Sequence, residues 1–486
     1  MRAYPRIAPA VVCIALALQI QLAGDLVADE APRRPNFILI CADDWRWDAL
    51  GVVQREQGEK ARFPWLQTPR LDELAAQCVR FRQSFVVNSL CSPSRACLLT
   101  GRYSHANGVI DNHTPLPADA VTVATRLQEA GYTNAYCGKW HMDGQRERPG
   151  FDYVASFVGQ GKYVDCPVLL NGRRTATHGW IDDVSTDFAI EFLKKQSQDQ
   201  PFFVYLGLKS PHGPRGNENL PERVRHLYEG ERSRPVPNLD LPALFQAEGS
   251  APPQGAKASD ARQFEGHRNY LRHITAIDDC VGRVLDAVDQ VGHAENTIVI
   301  VTSDNGYYLG EHGLSDKRSA YEESIRVPLL IRLPGKAADR GGVSDALTLN
   351  IDYAPTLLDF AGAESLPEPH GRSLRPLLEG GPPSDWRTAF LYEYFKERRY
   401  TSPTVLAVRT ATHKFITYPG HDKWSELYDV ASDPYETKNL VQDAGLADAL
   451  RRELDEQANA VAFRMPEGVS NADEPTGKRA PRKKRR

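Results

Sequence analysis

The stretch NFILICADDWRWD, residues 36–48, joins an apolar run to a pair of acidic residues. An apolar run of this length without polar alternation is typical of a strand that is buried on both faces of a sheet. Three later stretches have the same layout, and they are NAYCGKWHMDG (134–144), PFFVYLGLKSPHGP (201–214) and TIVIVTSDNGYYLGEHG (297–313). The four runs predict buried strands that each end in polar residues.

Segments with helical spacing alternate with these runs: TPRLDELAAQCVRF (68–81), VSTDFAIEFLKKQ (184–196) and NYLRHITAIDDCVGRVLDAVDQVG (269–292). The alternation of strands and helices predicts an α/β fold. Ligand sites in open α/β sheets lie beyond the carboxyl ends of the strands, which is where the polar clusters fall. We therefore expect one site at that edge of the sheet. Residues 214–263 have weak periodicity and predict a surface excursion bordering a substrate cleft.

Length and charge limit the classes of function. A chain of 486 residues predicts one large domain and a smaller one. A formal net charge of -4 predicts no binding of nucleic acid. The tail, residues 471–486, is the strongly basic part, and we expect it to be disordered. One hypothesis is that the tail holds anionic polysaccharide.

The amino terminus has the pattern of a secretion signal. Arg2 and Arg6 precede an apolar run from Ile7 to Leu22, and small and acidic residues follow this run. This pattern predicts a signal peptide over residues 1–28 and an exported protein, periplasmic or secreted. The apolar run is shorter than the roughly 20 residues of a spanning helix, so no stable membrane span is expected, although an amino-terminal anchor is the alternative.

A turn-rich stretch, residues 364–386, predicts the end of the main domain. We place the main domain at residues 29–375 and a C-terminal subdomain at 376–470. In the latter, TAFLYEYF (388–395), TVLAVRTATHKFITYP (404–419) and ELYDV (426–430) predict antiparallel strands, and residues 447–462 predict a closing amphipathic helix.

Oxygen-bearing side chains follow two of the predicted strands. They are Asp43 and Asp44 after the first run, and Asp304 and Asn305 after the fourth. Three carboxylates and an amide oxygen at one point select a hard cation such as Ca2+ or Mg2+. Acidic residues at strand ends also form turns and helix caps, which is the alternative interpretation of each pair taken alone.

Cationic or imidazole side chains also gather near strand ends: Arg95, Lys139, His141, His212, His312 and Lys317. A lone lysine or histidine is usually solvated or satisfied locally. Opposite charges about 4 Å apart attract by roughly 4 kcal/mol at an effective dielectric near 20, so a cluster would favour an anionic ligand.

The segment CSPSRACLLTGR, residues 91–102, resembles the signature of the type I sulfatases, in which the cysteine is oxidised to Cα-formylglycine. The ADD, GKWH, SPH and SDNG-to-DK stretches occur in the order of that family, spread over residues 36–331. The resemblance implies an alkaline-phosphatase-like α/β fold, with a large mixed sheet between helices and a smaller C-terminal domain on an antiparallel sheet. It also implies a formylglycine-generating maturase as a partner.

The resemblance assigns roles to the candidate residues. The ligands of Ca2+, or of Mg2+, would be Asp43, Asp44, converted Cys91, Asp304 and Asn305. The catalytic residues would be Cys91, Arg95, Lys139, His141, His212 and Lys317. In this scheme Lys139 and Lys317 hold the sulfate, and His212 protonates the leaving alcohol.

The stretch from Asp304 to Arg332, together with GKWHMDG, is similar to the N-acetylglucosamine-6-sulfatase branch. This implies a carbohydrate sulfate ester as the substrate, a glycan or sugar 6-sulfate, although Asp143 stands where that branch is expected to have glycine. Substrate contacts would come from Lys139, His212, His312 and Lys317. Aromatic candidates for sugar contact are Trp45, Trp47, Tyr163, Tyr307 and Tyr308.

Two other functions remain open from the sequence. One is a phosphonate or phosphate ester hydrolase that uses the same formylglycine, because the anion site would be shared. The other is a non-catalytic protein that binds sulfated glycans, and the presence of every predicted catalytic residue argues against it. The sequence leaves the oligomeric state undetermined.

Overall fold

The computed structural model describes residues 33–142, 148–247, 261–335, 341–397 and 400–469. The predictions for the signal peptide (1–28), Asp143 and the basic tail (471–486) lie outside the described residues. Within the described ranges, no helix is long and apolar enough to cross a membrane.

The strands are numbered in chain order. They are β1 (Asn36–Ala42), β2 (Val79–Phe81), β3 (Ser84–Phe85), β4 (Thr133–Lys139), β5 (Tyr153–Phe157), β6 (Val168–Leu170), β7 (Arg173–Thr175), β8 (Phe202–Gly207), β9 (Thr297–Ser303), β10 (Leu329–Arg332), β11 (Gly342–Ser344), β12 (Thr348–Leu349), β13 (Ala389–Tyr394), β14 (Val405–Thr410), β15 (His413–Thr417) and β16 (Glu426–Asp429).

The α-helices are numbered in the same way. They are α1 (Gly51–Gln57), α2 (Pro69–Ala76), α3 (Cys91–Thr100), α4 (Ser104–Asn107), α5 (Val123–Glu129), α6 (Ile181–Leu193), α7 (Leu244–Ala247), α8 (Ala261–Gln290), α9 (Glu322–Ile325), α10 (Tyr353–Ala361), α11 (Arg375–Glu379) and α12 (Ala444–Ala460). Short 3-10 helices lie at Gly58–Lys60, Asn217–Asn219, Glu222–Val224, Ala294–Asn296, Glu311–Gly313, Asn350–Asp352 and Asp422–Trp424.

Ten strands form a mixed sheet in the order β11-β2-β10-β9-β1-β8-β4-β5-β6-β7. The four strands predicted from the apolar runs are β1, β4, β8 and β9, and they are confirmed. Strand β1 is parallel to both β8 and β9, and β4 is parallel to β8. The carboxyl ends of these four strands therefore meet at one edge of the sheet.

Both faces of the sheet are covered, as an unbroken apolar strand requires. In β1, Ile38 and Ile40 belong to a core that includes residues of α6 and α8. Phe37 and Leu39 belong to a second core that includes residues of α3, α5 and α10. Burial of each leucine or isoleucine side chain contributes about 2 kcal/mol to folding. The alternation of side chains along β1 therefore determines which residues pack against each helical layer.

Some predicted boundaries differ from the structure. Helix α2 ends at Ala76, and Val79–Phe81 form β2 instead of continuing the helix, with Arg80 opposite Leu330 of β10. The β-branched Val79 and aromatic Phe81 suit a strand once a partner is present. Helix α8 begins at Ala261, earlier than predicted, so it includes the end of the predicted surface excursion. Residues 248–260 of that excursion are outside the described ranges.

The C-terminal part has the predicted antiparallel sheet, which contains four strands in the order β13-β14-β15-β16. The run at residues 404–419 contains two of these strands, and the predicted closing helix is α12. This sheet packs against β3, where the ring centroids of Phe85 and Phe390 lie 5.1 Å apart. The described residues from Pro35 onward group into one compact unit, and the boundary at residue 375 stays a prediction.

The cysteines from Cys41 to Cys280 are free thiols and buried. They are Cys41, Cys78, Cys91, Cys97, Cys137, Cys166 and Cys280. Cys41 and Cys137 lie inside β1 and β4 and act as small apolar residues, as predicted.

His105 fixes the C-terminal part to the main domain. Its Nδ1 lies 2.7 Å from Glu393 Oε2 of β13, and its Nε2 lies 3.1 Å from the Val461 carbonyl oxygen just after α12. Burial lowers the pKa of His105, but the hydrogen bond and charge of Glu393 outweigh burial and raise the pKa above its ordinary value of 6.5. The imidazolium can donate at both nitrogens, so it links two C-terminal elements.

We expect the His105→Gln substitution to have a pH-dependent cost. A raised native pKa gives stability that is present below the unfolded pKa and is lost as pH rises through the native pKa. The loss of unfolding free energy should therefore be larger at about pH 6 than at about pH 9, by about 1 kcal/mol. Urea denaturation at both pH values measures it, with the exposed His113→Gln as the control. An equal loss at both pH values would contradict the charged pair.

Candidate active site

Four oxygen-bearing side chains meet where β1 and β9 end. Ala42 lies opposite Ser303 in the parallel pair, so the residues that follow them are adjacent. The Asp44 amide donates to Asp304 Oδ1 at 3.2 Å, and Asn305 Nδ2 donates to Asp44 Oδ1 at 2.7 Å. Asp44 has a φ of 71°, a left-handed conformation that Asp adopts more readily than most residues.

This group fits a hard cation. One carboxylate oxygen from each of Asp43, Asp44 and Asp304 lies within 4.8 Å of the others, and all three residues are buried. Asn305 Oδ1 is buried without a hydrogen-bond partner among the described residues. Buried like charges are costly unless a cation compensates them. The donor set, all oxygen, suits Ca2+ or Mg2+.

Cys91 is the first residue of α3 and points at the same carboxylates. Its Sγ donates to Asp43 Oδ1 at 3.3 Å, and the side chain is 0% exposed. Burial raises the pKa of the Cys91 thiol to about 12. Since only a thiolate is a good sulfur nucleophile, the unmodified thiol is poorly suited to attack.

Three cations surround the acids. Arg95 lies one turn after Cys91 on α3, and it donates from Nε to Asp304 Oδ2 at 2.8 Å and from Nη1 to the Lys139 carbonyl oxygen at 2.9 Å. Lys139, the last residue of β4, contacts Asp43 through Nζ, and Lys317 Nζ lies 2.5 Å from Asp44 Oδ1. The ammonium groups and the carboxylates therefore converge on Cys91.

Two histidines complete the group. His212 Nδ1 donates to the Gly213 carbonyl oxygen at 2.7 Å, which leaves Nε2 for a ligand. His212 also lies close to Asp43 and Cys91. His141 is held by Ser92 Oγ, which donates to its carbonyl oxygen at 2.7 Å, and by Gln160 Nε2 at 2.9 Å from its Nε2. Burial, followed by the charge of Lys139, lowers the pKa of both histidines.

His312 is not placed with these residues. Its ring is 2% exposed and stacks on Tyr321 with centroids 3.8 Å apart, and its Nε2 lies 3.2 Å from Asn238 Nδ2. Burial lowers the pKa of His312 to about 3. The ring is therefore held in the interior by Tyr321 and Asn238, and substrate binding by His312 stays a prediction.

The aromatic candidates divide in the same way. Trp45, Tyr163 and Tyr308 are at most 1% exposed and belong to hydrophobic cores, which favours the alternative that they are core residues. Trp47 and Tyr307 are partly exposed, and their role stays a prediction.

The structure adds residues that the sequence argument missed. Lys209 follows β8, and its backbone amide donates to Asp182 Oδ1 at 2.6 Å, which positions the SPH loop. Burial lowers the pKa of Lys209 to about 8. Arg215 Nη2 lies 3.8 Å from Asp44 Oδ2, and its guanidinium covers the Tyr307 ring at 4.0 Å. The sequence could have indicated Lys209, because this residue directly follows a predicted strand. No feature of the sequence indicated Arg215.

Comparison with known proteins agrees with this geometry. The chain matches the family described as Sulfatase over residues 35–363, and the C-terminal family of N-sulphoglucosamine sulphohydrolase over residues 310–462. An N-acetylglucosamine-6-O-sulfatase of Bacteroides thetaiotaomicron is 34% identical over 85% of this chain and 83% of its own length.

Solved structures give the same result. A protein in complex with its substrate D-glucosamine-2-N,6-O-disulfate has a TM-score of 0.79 and 30% identity, covering 90% of this chain and 100% of that protein. A phosphonate monoester hydrolase of Agrobacterium radiobacter has a TM-score of 0.69 and 24% identity over 88% of this chain and 96% of that protein, and it supports the fold alone.

Proposed function

This chain belongs to the sulfatase family, and from that membership we propose that it hydrolyses the 6-O-sulfate of an amino sugar in a glycan, with Cys91 converted to Cα-formylglycine. Hydrolysis of a sulfate ester on a carbohydrate is the activity that the family and the sugar-sulfatase relatives share. The 6-position and the amino sugar are the finer part of the proposal, and the resemblance of residues 304–332 supports them.

The observation that carries the proposal is the placement of Cys91. A buried thiol with a raised pKa lies against Asp43, which Lys139 also contacts, and within reach of the charge of Lys317. Such a thiol is a weak nucleophile at the one position where an anionic ester would be held. Formylglycine, whose hydrate carries hydroxyl groups, would supply an oxygen nucleophile there.

The residues of the chain have distinct tasks in this proposal. Lys139 and Lys317 bind the sulfate oxygens and offset the charge that builds up during transfer. His212 Nε2 gives a proton to the departing alcohol, and His141 would take the proton that the second hydroxyl group of the hydrate loses when sulfate is expelled and the aldehyde is restored. The negative charge of the bound ester opposes the effect of the lysines on the pKa of His212, so substrate binding favours the protonated form.

The metal is proposed to be Ca2+, with Mg2+ as the alternative. Asp43, Asp44, Asp304 and Asn305 would hold it through oxygen, together with the converted residue 91. A bound divalent ion would stabilise negative charge on the transferring group. Arg95 keeps Asp304 in place through its 2.8 Å hydrogen bond.

The maturase is proposed to act before folding is complete. Cys91, Ser92 and Arg95 are 0% exposed, and Pro93 between them is also buried in α3. An enzyme could not reach the cysteine in the folded chain. We also propose that the protein is exported, which the charged and apolar pattern of residues 1–28 supports.

A panel of substrates tests the function. Protein made with a working maturase is compared on N-acetylglucosamine 6-sulfate, sugar 3-sulfates, galactose 6-sulfate and an aryl phosphonate, with sulfate or phosphonate release measured. We expect the highest kcat/KM on the glucosamine 6-sulfate. A higher value on another sugar sulfate would overturn the proposed position or sugar, and a higher value on the phosphonate would overturn the proposed reaction.

A further inference from the structure

A cavity of about 460 Å³ is formed by segments of the chain other than those that carry the candidate active site. Its lining includes Ile110, Asp111, Lys396, Glu397, Tyr400 and Glu467. The segments come from before β4, from the loop after β13, and from beyond α12. None of these residues belongs to the predicted catalytic or metal set.

One wall of the cavity is tied to the nucleophile. The backbone amide of Ser92, next to Cys91, donates to Asn112 Oδ1 at 3.0 Å. The turn that carries Asn112 is fixed by Asp111, whose Oδ1 accepts from the Thr114 amide at 2.7 Å. The wall therefore has a defined position relative to the start of α3.

Another wall is tied to the sulfate-binding lysine. Arg318, next to Lys317, donates from Nε to Glu397 Oε2 at 2.6 Å. The Arg318 guanidinium carbon also lies 3.4 Å from the centroid of the Tyr400 ring. The cavity is thus connected on two sides to the sequence neighbours of Cys91 and Lys317, through Ser92 and Arg318.

The chemistry of the lining indicates the ligand. Tyr400 is 43% exposed although Arg318 covers one face of its ring, so the exposed surface belongs to the other face and the edge. An open aromatic face packs against the C–H face of a pyranose, and carboxylates accept hydrogen bonds from its hydroxyl groups. Glu397 is already paired with Arg318, but Asp111 and Glu467 add two negative charges against the one positive charge of Lys396, which disfavours a second anionic group on the ring.

We propose that this cavity binds the pyranose ring that carries the sulfate ester, that Tyr400 stacks on the ring, and that the ring is neutral apart from that sulfate. The proposal rests on the proposed function, since it names the sugar at the same site. Tyr400 is a specificity residue in this scheme and does not take part in the chemical step.

The test uses Tyr400→Ala, with Tyr400→Phe as the matched variant that keeps the ring. Ile110→Trp narrows the cavity from another segment, and Val343→Ala removes a similarly exposed apolar side chain from a different cavity. We expect Tyr400→Ala to raise KM for N-acetylglucosamine 6-sulfate about tenfold with little change in kcat. Ile110→Trp should also raise KM, whereas Tyr400→Phe and Val343→Ala should not.

Two further measurements distinguish sugar binding in the cavity from sulfate binding by the lysines. Inhibition by inorganic sulfate should be the same in wild type and Tyr400→Ala, because Lys139 and Lys317 hold the anion. Saturation-transfer NMR with methyl N-acetylglucosaminide, which requires no turnover, should show binding to wild type that Tyr400→Ala loses. We also expect the N-acetylated 6-sulfate to be preferred to the N-sulfated one.

The outcomes are distinguishable. Unchanged KM and unchanged glycoside binding in both Tyr400→Ala and Ile110→Trp would overturn the cavity as the sugar site, as would preference for the N-sulfated sugar. Failure of wild type to hydrolyse any sugar sulfate would overturn the proposed function, while loss of glycoside binding in Tyr400→Ala would still support the sugar site.

Discussion

Replacement of Cys91 by alanine should lower kcat/KM for a sugar sulfate by at least about 10⁴-fold, because no other residue can supply the nucleophile at that position. The change removes a small side chain and leaves Asp43, Lys139 and Lys317 in place. We therefore expect the variant to fold and still to bind sulfate. Steady-state kinetics together with the melting temperature measure both expectations.

Cys91→Ser gives a sharper result. Serine keeps one hydroxyl group, so it can attack sulfur but then holds a sulfate ester that water removes slowly. We expect a single burst of alcohol release, after which intact-mass spectrometry shows one added sulfate on the protein. The chain offers a matched control in Cys97→Ala, a buried cysteine of the same helix α3 that contacts Ser104 Oγ at 3.4 Å and should leave kcat within about twofold.

The same experiments can contradict the mechanism. Equal activity for wild type and Cys91→Ala would exclude residue 91 as the nucleophile. Unmodified cysteine at residue 91 in active protein, found by mass spectrometry of the peptide, would exclude formylglycine. A maturase control substrate must be converted in the same cells, so that a missing modification reflects this chain.

Removal of the divalent ion should have the second largest effect. Treatment with a chelator is expected to lower kcat about 10³-fold or more, and added Ca2+ should restore it. The melting temperature should also fall, because three buried carboxylates would face one another with less compensation and a ligand of the native state would be lost. Elemental analysis and calorimetry of Ca2+ binding give readouts that do not depend on activity.

Asp304→Asn tests the residue assignment behind this expectation. The asparagine amide keeps the shape of the side chain but removes the negative charge that contacts Arg95 and would bind the ion. Ca2+ affinity should therefore fall at least about tenfold. Asp165→Asn, on an exposed loop, is the control and should leave affinity unchanged. If the chelator changed neither kcat nor melting temperature, or if Asp304→Asn bound Ca2+ as wild type does, the assignment of the metal site would be wrong.

Much of the fold could be predicted because the central strands carry their own signal. The apolar runs that became β1, β4, β8 and β9 are short, rich in β-branched and aromatic residues, and buried on both faces. The short strand β2 was missed because Val79–Phe81 has no periodicity of its own. It becomes a strand only through pairing with β10, which is distant in sequence.

The candidate site was predictable to the extent that its residues follow strands. Asp43, Asp44, Lys139, Asp304 and Asn305 end or follow parallel strands, so topology alone brings them together. His312 also lies near such a segment, yet its ring turns inward and stacks on Tyr321. The direction of a side chain in a loop depends on tertiary packing, which a sequence motif does not encode.

The sequence by itself determined the α/β architecture and placed Asp43, Asp44, Asp304 and Asn305 at one edge of the sheet, because apolar burial and strand ends are local properties of the chain; its motifs indicated the family. Only the tertiary structure showed that Arg215 lies near Asp44, that the His312 ring is in the interior, and that a cavity lies beside Tyr400. Each of these depends on contacts between segments that are far apart in sequence. Such contacts form only when the loop after β8 packs against Asp44, the loop after β13 against Arg318, and the segment around Asn112 against the start of α3.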